Sequence, residues 1–195
     1  MMGEYADTHW VLHRLNEFST EVTFGENAGF TVDYARQFAK KIPKLKRLYM
    51  IEFRECVFDD GSLDIIAAAL GNNKHVREIH LQENTEKPFI STFLRALAKN
   101  ETVKELKIIE GYMEEEDGHD FSEYLQKNTA LHTLRFLGCN FAFRFHRTLF
   151  EGMLRNTSLE CLDVNGKVFE YRDPLSRNTW NTVNRKTTLA ELFFV

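Results

Sequence analysis

The sequence predicts an α/β fold, a leucine-spaced solenoid in which strand–loop–helix units stack in a curve, parallel strands on the concave face and helices on the convex face. Three observations predict it. The pattern apolar-x-x-apolar-x-apolar recurs six times, as Leu45/Leu48/Met50, Val76/Ile79/Leu81, Val103/Leu106/Ile108, Leu131/Leu134/Phe136, Leu159/Leu162/Val164 and Leu189/Leu192/Phe194. Successive starts lie 31, 27, 28, 28 and 30 residues apart. In the same phase, Asn73, Asn100, Asn128 and Asn156 each stand three residues before a hexad, and Leu70, Leu97, Leu125 and Met153 six before it. Between hexads, apolar residues recur at helical spacing: Ile65, Ile66 and Ala69; Phe89, Phe93 and Leu97; Phe121, Tyr124 and Leu125; Phe145, Leu149 and Met153.

Residues 1–42 do not repeat. His9 to Phe18 and Val32 to Ile42 read as helices, with Val22 to Phe24 extended between them, and together they are expected to form an N-terminal helical cap. Residues 43–195 then hold about five full units and a final strand. The first spacing is three longer than the usual 28, so an insertion around Glu52 to Arg54 is expected, which would bring Cys56 and Phe58 into the phase of Cys139 and Phe141. Helix starts are signalled by Asp60-Gly-Ser62, by Pro88 and by Asp173-Pro174. Helix ends are marked by Lys99, Lys127 and Arg155, cations suited to the negative end of the macrodipole, each followed by an asparagine able to take the left-handed conformation. Thr102, Thr129, Thr157 and Thr187 follow in the turns.

Strand alternation turns the hexads into a map. Positions one, four and six point into the core, and positions three, five and seven face the concave surface. The third column reads Arg47, Glu78, Glu105, Thr133, Cys161 and Glu191; the fifth Tyr49, His80, Lys107, Arg135, Asp163 and Phe193; the seventh Ile51, Gln82, Ile109, Leu137, Asn165 and Val195. Tyrosine, arginine and exposed aliphatics amid charges of both signs suit a protein interface, whereas a phosphate-tracking groove would be uniformly basic. The candidate partner-binding residues are therefore Arg47, Tyr49, Ile51, Glu78, His80, Glu105, Lys107, Arg135, Leu137 and Asp163. The plainer account is that pairs such as Glu105 with Lys107 and Arg135 with Asp163 serve only the sheet.

Composition narrows the class. Apolar residues make up 43% and charged residues 28% of the 195, ordinary for a globular chain. A formal charge of -4 gives no reason to expect a nucleic-acid partner. The N-terminus shows neither a basic nor an apolar signal region, and no run is long enough to span a bilayer. Cys56, Cys139 and Cys161, an odd and scattered set, suit reduced thiols in an intracellular protein. Neither a glycine-rich phosphate loop nor an H-E-x-x-H or C-x-x-C motif occurs, so no catalytic residues, metal or cofactor are expected. His9, His13 and Glu17 fall at i, i+4 and i+8, a spacing that reads more simply as a polar helix face than as metal ligands. Lys40, Lys41, Lys44, Lys46 and Arg47 form a basic cluster and Glu114 to Asp117 an acidic run; either could steer a partner.

The segments Ala67 to Leu81 (AAALGNNKHVREIHL) and Leu97 to Ile108 (LAKNETVKELKI) carry a family likeness. They resemble the leucine-rich-repeat superfamily, in its long ribonuclease-inhibitor-like class, and most of all the repeats of the tropomodulin group. At the ninth position, where such repeats place Asn or Cys, stand Asn84, Cys139 and, after the insertion, Cys56, whereas Gly111 and Lys167 depart from the pattern. The expected function is a non-enzymatic protein–protein interaction module or scaffold, and the tropomodulin likeness implies cytoskeletal work such as actin-filament capping. The alternative is a GTPase regulator, since Ran GTPase-activating proteins use repeats of this long type. A third reading comes from the last hexad, which stops on its strand without a polar cap. Either the chain is truncated there, or a partner or second copy covers Leu192, Phe193, Phe194 and Val195, an apolar edge open to self-association as a homodimer.

Overall fold

The computed structural model describes residues 8–25, 28–83, 89–142, 144–165 and 167–170. The chain opens with α1 (Thr8–Arg14), β1 (Glu21–Phe24), β2 (Gly29–Phe30) and α2 (Val32–Lys41). A 3-10 turn (Ile42–Lys44) leads to β3 (Met50–Arg54), β4 (Val57–Phe58) and α3 (Ser62–Gly71). Then follow β5 (Glu78–Gln82), α4 (Phe89–Leu97), β6 (Glu105–Ile109), β7 (Tyr112–Met113) and α5 (Glu115–Lys127). The last are β8 (Thr133–Leu137), β9 (Asn140–Phe141), α6 (Phe145–Arg155), β10 (Cys161–Val164) and β11 (Lys167–Glu170).

Six strands, in the order β1-β3-β5-β6-β8-β10, form a parallel sheet, and β11 adds antiparallel to β10 at its end. The short pairs β2–β4 and β7–β9 repeat the parallel arrangement beside it. Helices α2 to α6 link parallel strands and therefore run back against them. Neighbouring helices pack in sequence, α2 on α3, α3 on α4, α4 on α5 and α5 on α6. The architecture is thus a strand–helix repeat. Among the described residues no helix is long and apolar enough to cross a membrane.

The core is a set of rows that cross the units. Val22, Ile51, Ile79, Leu106, Leu134 and Leu162 stand in register, and Phe24, Phe53, Leu81, Ile108, Phe136 and Val164 form the next row; all are buried. That register corrects the first hexad. The apolar spacing fits twice there, as Leu45/Leu48/Met50 and as Leu48/Ile51/Phe53, and only the second lies on the strand. Leu45 packs inside the turn that Pro43 opens, while Phe53 is fully buried against Phe24, stacked at 5.5 Å between ring centroids. The hexad starts become 48, 76, 103, 131 and 159, so no insertion is needed and Cys56 already shares the phase of Cys139. Both cysteines point their thiols at carbonyls of the preceding unit, Cys56 Sγ to Phe24 O at 3.5 Å and Cys139 Sγ to Ile108 O at 3.4 Å. Burial pushes the Cys56 thiol up to about 12 and that of Cys139 in the same direction, which leaves both protonated and inert.

Within the segment expected to form an N-terminal helical cap, the extended stretch around Val22 to Phe24 is β1, in register with β3, and the second helix is α2, against α3. Thr31 starts α2 by accepting the Tyr34 N–H at 3.2 Å. The first helix is shorter than expected: Glu17 falls in the turn beyond it, so His9, His13 and Glu17 do not share one helix face.

The four phased asparagines do not act through a left-handed backbone; Asn128 and Asn156 have φ of -89° and -74°. They act through their side chains. In each, Oδ1 accepts the backbone N–H groups two and three residues on, as Asn128 does from Ala130 and Leu131 at 2.9 and 2.8 Å. In the last three, Nδ2 also donates backwards to the preceding unit, from Asn128 to Leu97 O and Asn100 O at 3.0 and 2.9 Å, and from Asn156 to Leu125 O and Asn128 O at 2.7 and 2.9 Å. The result is a ladder of buried amides joining unit to unit.

Left-handed backbone occurs instead just after the strands, at Glu55, Glu83, Glu110 and Gly138, with φ between 48° and 65°. These four stand eighth from the start of their hexads, and only one is glycine. A β-carbon in this region is strained, so Glu110→Gly is expected to stabilise the fold by about 0.5–1 kcal/mol. Thermal unfolding should show the midpoint rising by about 2 °C; a fall would mean that the Glu110 side chain contributes more than its backbone costs.

Candidate functional site

Helices cover one face of the sheet and leave the other open. On the open face the third, fifth and seventh positions of the units on β3, β5, β6 and β8 are half-buried, alternating with fully buried core residues. Glu78 and Glu105 lie here in one row, His80, Lys107, Arg135 and Asp163 in the next, and Leu137 in the third. These seven predicted residues are brought together.

The three predicted from the first hexad are not on this face. Ile51 is fully buried in the core, Tyr49 precedes the strand, and Arg47 sits exposed in the turn before it. Met50, Glu52 and Arg54 occupy the places assigned to them, in register with Glu78, His80 and Gln82. The signal that would have found these three is the 28-residue spacing from Leu48 to Val76. Leu192, Phe193, Phe194 and Val195 lie outside the described residues. The outer edge of β10, where the sixth hexad was expected to pair, is taken by β11.

Charges on the open face answer one another across the strands. Thr23 donates its hydroxyl to Glu52 at 2.8 Å, and Arg54 reaches Glu52 at 3.4 Å and Gln82 at 3.1 Å. Lys107 stands 3.3 Å from Glu105 and 3.8 Å from Glu78. Arg135 bridges two strands, Nε to Glu105 Oε1 at 2.9 Å and Nη1 to Asp163 Oδ2 at 3.2 Å. His80 lies 3.4 Å from Glu78, yet burial first, and Lys107 second, hold its pKa below the ordinary histidine value. The neutral imidazole thus leaves Glu78 to Lys107. At the strand ends Gln82 donates to both Glu83 and Glu110, at 3.2 and 3.3 Å. Hydrogen bonding between these two carboxyls lowers the pKa of Glu83 and raises that of Glu110.

Asp163 is the deepest of these charges, with its side chain 6% exposed. Arg135→Met removes its cross-strand cation and is expected to cost about 2 kcal/mol, the figure for a stranded buried carboxylate reduced because Arg135 is itself one-third exposed. Asp163→Asn in the same chain should recover at least half of it. A double-mutant cycle in urea measures the coupling, and strictly additive losses would show that the pair is not an energetic unit.

The row-by-row register, with an asparagine in the turn before each of β5, β6, β8 and β10, defines a repeat fold. The chain is similar in fold to actin-binding site 2 of leiomodin-1. The two align with a TM-score of 0.53 at 18% identity, over 81% of this chain and 94% of that one. At that identity the likeness is one of fold. No family model matches the sequence, and no curated protein matches it.

Elsewhere the predicted charge clusters divide. The acidic run belongs to the start of α5, where the Glu114 N–H donates to Asp117 at 2.8 Å in a capping box. The basic cluster has no such structural account. Lys41 reaches the carbonyl of Leu12 at 2.6 Å, while Lys44, Lys46 and Arg47 stand exposed in the turn before β3. On the helix side, Asp64, Ala67, Ala68, Thr92, Arg95 and Ala96 line an open groove of about 340 Å³ between α3 and α4.

Proposed function

We propose that this chain is a non-enzymatic protein-interaction module with a cytoskeletal role, its units curving as a leucine-rich-repeat solenoid. The observation that carries the reading is the fold likeness, over 81% of the chain, to a domain described as an actin-binding site. The resemblance of residues 67–81 and 97–108 to tropomodulin-group repeats points the same way. An intracellular setting belongs to the same proposal, and the buried, protonated thiols of Cys56 and Cys139 suit it.

The surface proposed for the partner is the open, concave face of the sheet. Its half-buried Ile109 and Leu137 stand side by side in register, an apolar pair next to the Arg135 network. Such an arrangement, an apolar centre with a polar surround, is how protein interfaces are built. Co-sedimentation with filamentous actin and the elongation rate of fluorescent actin test the proposal together. The expected result is a saturable pellet or slowed elongation at micromolar protein, weakened in Ile109→Asp/Leu137→Asp. Protein that stays in the supernatant and leaves elongation unchanged would remove actin as the partner.

A further inference from the structure

The open face consumes its own charges; the rim where the chain enters the strands does not. Helices α2 to α6 link parallel strands and run one way, so their C-terminal ends lie along this rim, where cations are favoured by the helix dipole. Lys46 and Lys74 hold equivalent places, two residues before Leu48 and Val76, with Lys44 and Arg47 beside the first of them. All four are exposed, and among the described residues none forms an ion pair. In the next unit the same place is held by Glu101, which ends the positive stretch.

Two aromatic rings stand at the same corner. Phe18 is 68% exposed and Tyr49 39%. The backbone of both is held, the Phe18 N–H donating to Asn16 Oδ1 at 2.9 Å and the Tyr49 N–H to Thr20 O at 2.8 Å, and the Tyr49 ring is fixed by its hydroxyl donating to Glu21 at 2.9 Å. The bond to Glu21 also raises the Tyr49 pKa, so the hydroxyl remains a donor. Exposed rings beside arginine and lysine are the composition of a binding hot spot, and prior ordering lowers the entropic cost of using them.

We infer that this corner, Phe18 and Tyr49 with Lys44, Lys46, Arg47 and Lys74, docks an acidic amphipathic protein segment, its carboxylates against the cations and its apolar side chains against the rings. The inference rests on the reading of the chain as a protein-interaction module and assigns it a surface other than the sheet face. A phosphate backbone fits less well. Exposed Glu17 and Glu21 flank the rings and would repel both a continuous polyanion and an anionic lipid surface. A partner with separate acidic and apolar side chains avoids them.

The test selects a random dodecapeptide display library on the full chain, then titrates the most enriched peptide, fluorescently labelled, by polarisation. Selected peptides should combine Asp or Glu with Leu, Phe or Trp. Affinity should fall about tenfold or more in Lys46→Glu/Lys74→Glu, weaken with added salt, and fall about threefold in Phe18→Ala, with circular dichroism unchanged. If the charge-reversed chain misfolds, Lys46→Gln/Lys74→Gln should still lose about threefold. Peptides without acidic bias, or equal binding to the variants, overturn the inference. So does tighter binding of a single-stranded oligonucleotide or of phosphatidylserine vesicles at the same residues. The peptide titration does not involve actin, so its failure and the failure of the actin experiment are separate outcomes.

Discussion

Gly152→Ala is expected to lower stability by about 2–3 kcal/mol, even though alanine is the better helix former by about 1 kcal/mol. Gly152 lies inside α6 at its closest approach to α5. A β-carbon there would meet the Ser122 Cα and stand 2.7 Å from the Ser122 carbonyl oxygen. Both belong to helix backbone, which cannot rotate away as a side chain tip can. The contact is reciprocal, since a β-carbon at Gly118 on α5 would meet the Thr148 hydroxyl and stand 2.8 Å from Phe145 O. Relief requires the helices to separate, which would loosen Phe121 against Phe136 and Phe145, rings now in edge contact at 5.2 and 6.1 Å. Urea unfolding of the variant measures the loss. A variant as stable as the parent would show that α6 can shift without disturbing those rings.

Asn128→Ala should cost about 4 kcal/mol, from four buried hydrogen bonds at roughly 1 kcal/mol each. It strands two N–H groups in its own turn and two carbonyls in the preceding unit. Asn73 provides the internal control. Its Oδ1 accepts from His75 and Val76 at 2.7 and 2.8 Å, but among the described residues its Nδ2 finds no acceptor. The preceding unit has Leu45 in place of an asparagine, so the Leu48 N–H, with no Oδ1 to meet, is held by Leu45 O, the carbonyl equivalent to those that Asn128 and Asn156 reach. Asn73→Ala should therefore cost about half as much, roughly 2 kcal/mol. Equal losses at the two positions would show that the backward bonds contribute little.

The units from Val76 to Val164 were legible because five side chains per unit recur in phase and each recurrence constrains the next. The first unit was misread for a physical reason. Two overlapping hexads satisfied the pattern around Leu48, and what separates them is burial of Phe53 against Phe24, a residue 29 positions away that lies in the segment without a visible repeat. Val22 to Phe24 could be read as extended, but its pairing with β3 depends on that same packing. The asparagine phase was plain in the sequence, while its role was not: a helix-ending asparagine and a ladder asparagine look alike until the carbonyls of the neighbouring unit are in place. On the open face, seven of the ten candidate residues follow from simple alternation. Arg47 and Tyr49 were singled out for a strand they do not occupy, and they mark a different surface. Lys167 to Glu170 carries no hexad, so nothing local announced that it would pair backwards on β10.

That backward pairing bears on how a protein of this kind can change in size. Within the parallel strands every position has a counterpart 27 to 29 residues away, so a duplicated or deleted unit would meet neighbours of the same shape. β11 breaks this equivalence, because a strand of opposite polarity offers its neighbour a different pattern of donors and acceptors. A further copy of the repeat could not seat on it as β10 seats on β8. Gain or loss of units by gene duplication would have to occur upstream of Cys161, leaving the β10–β11 hairpin unchanged while the number of parallel repeats before it varies.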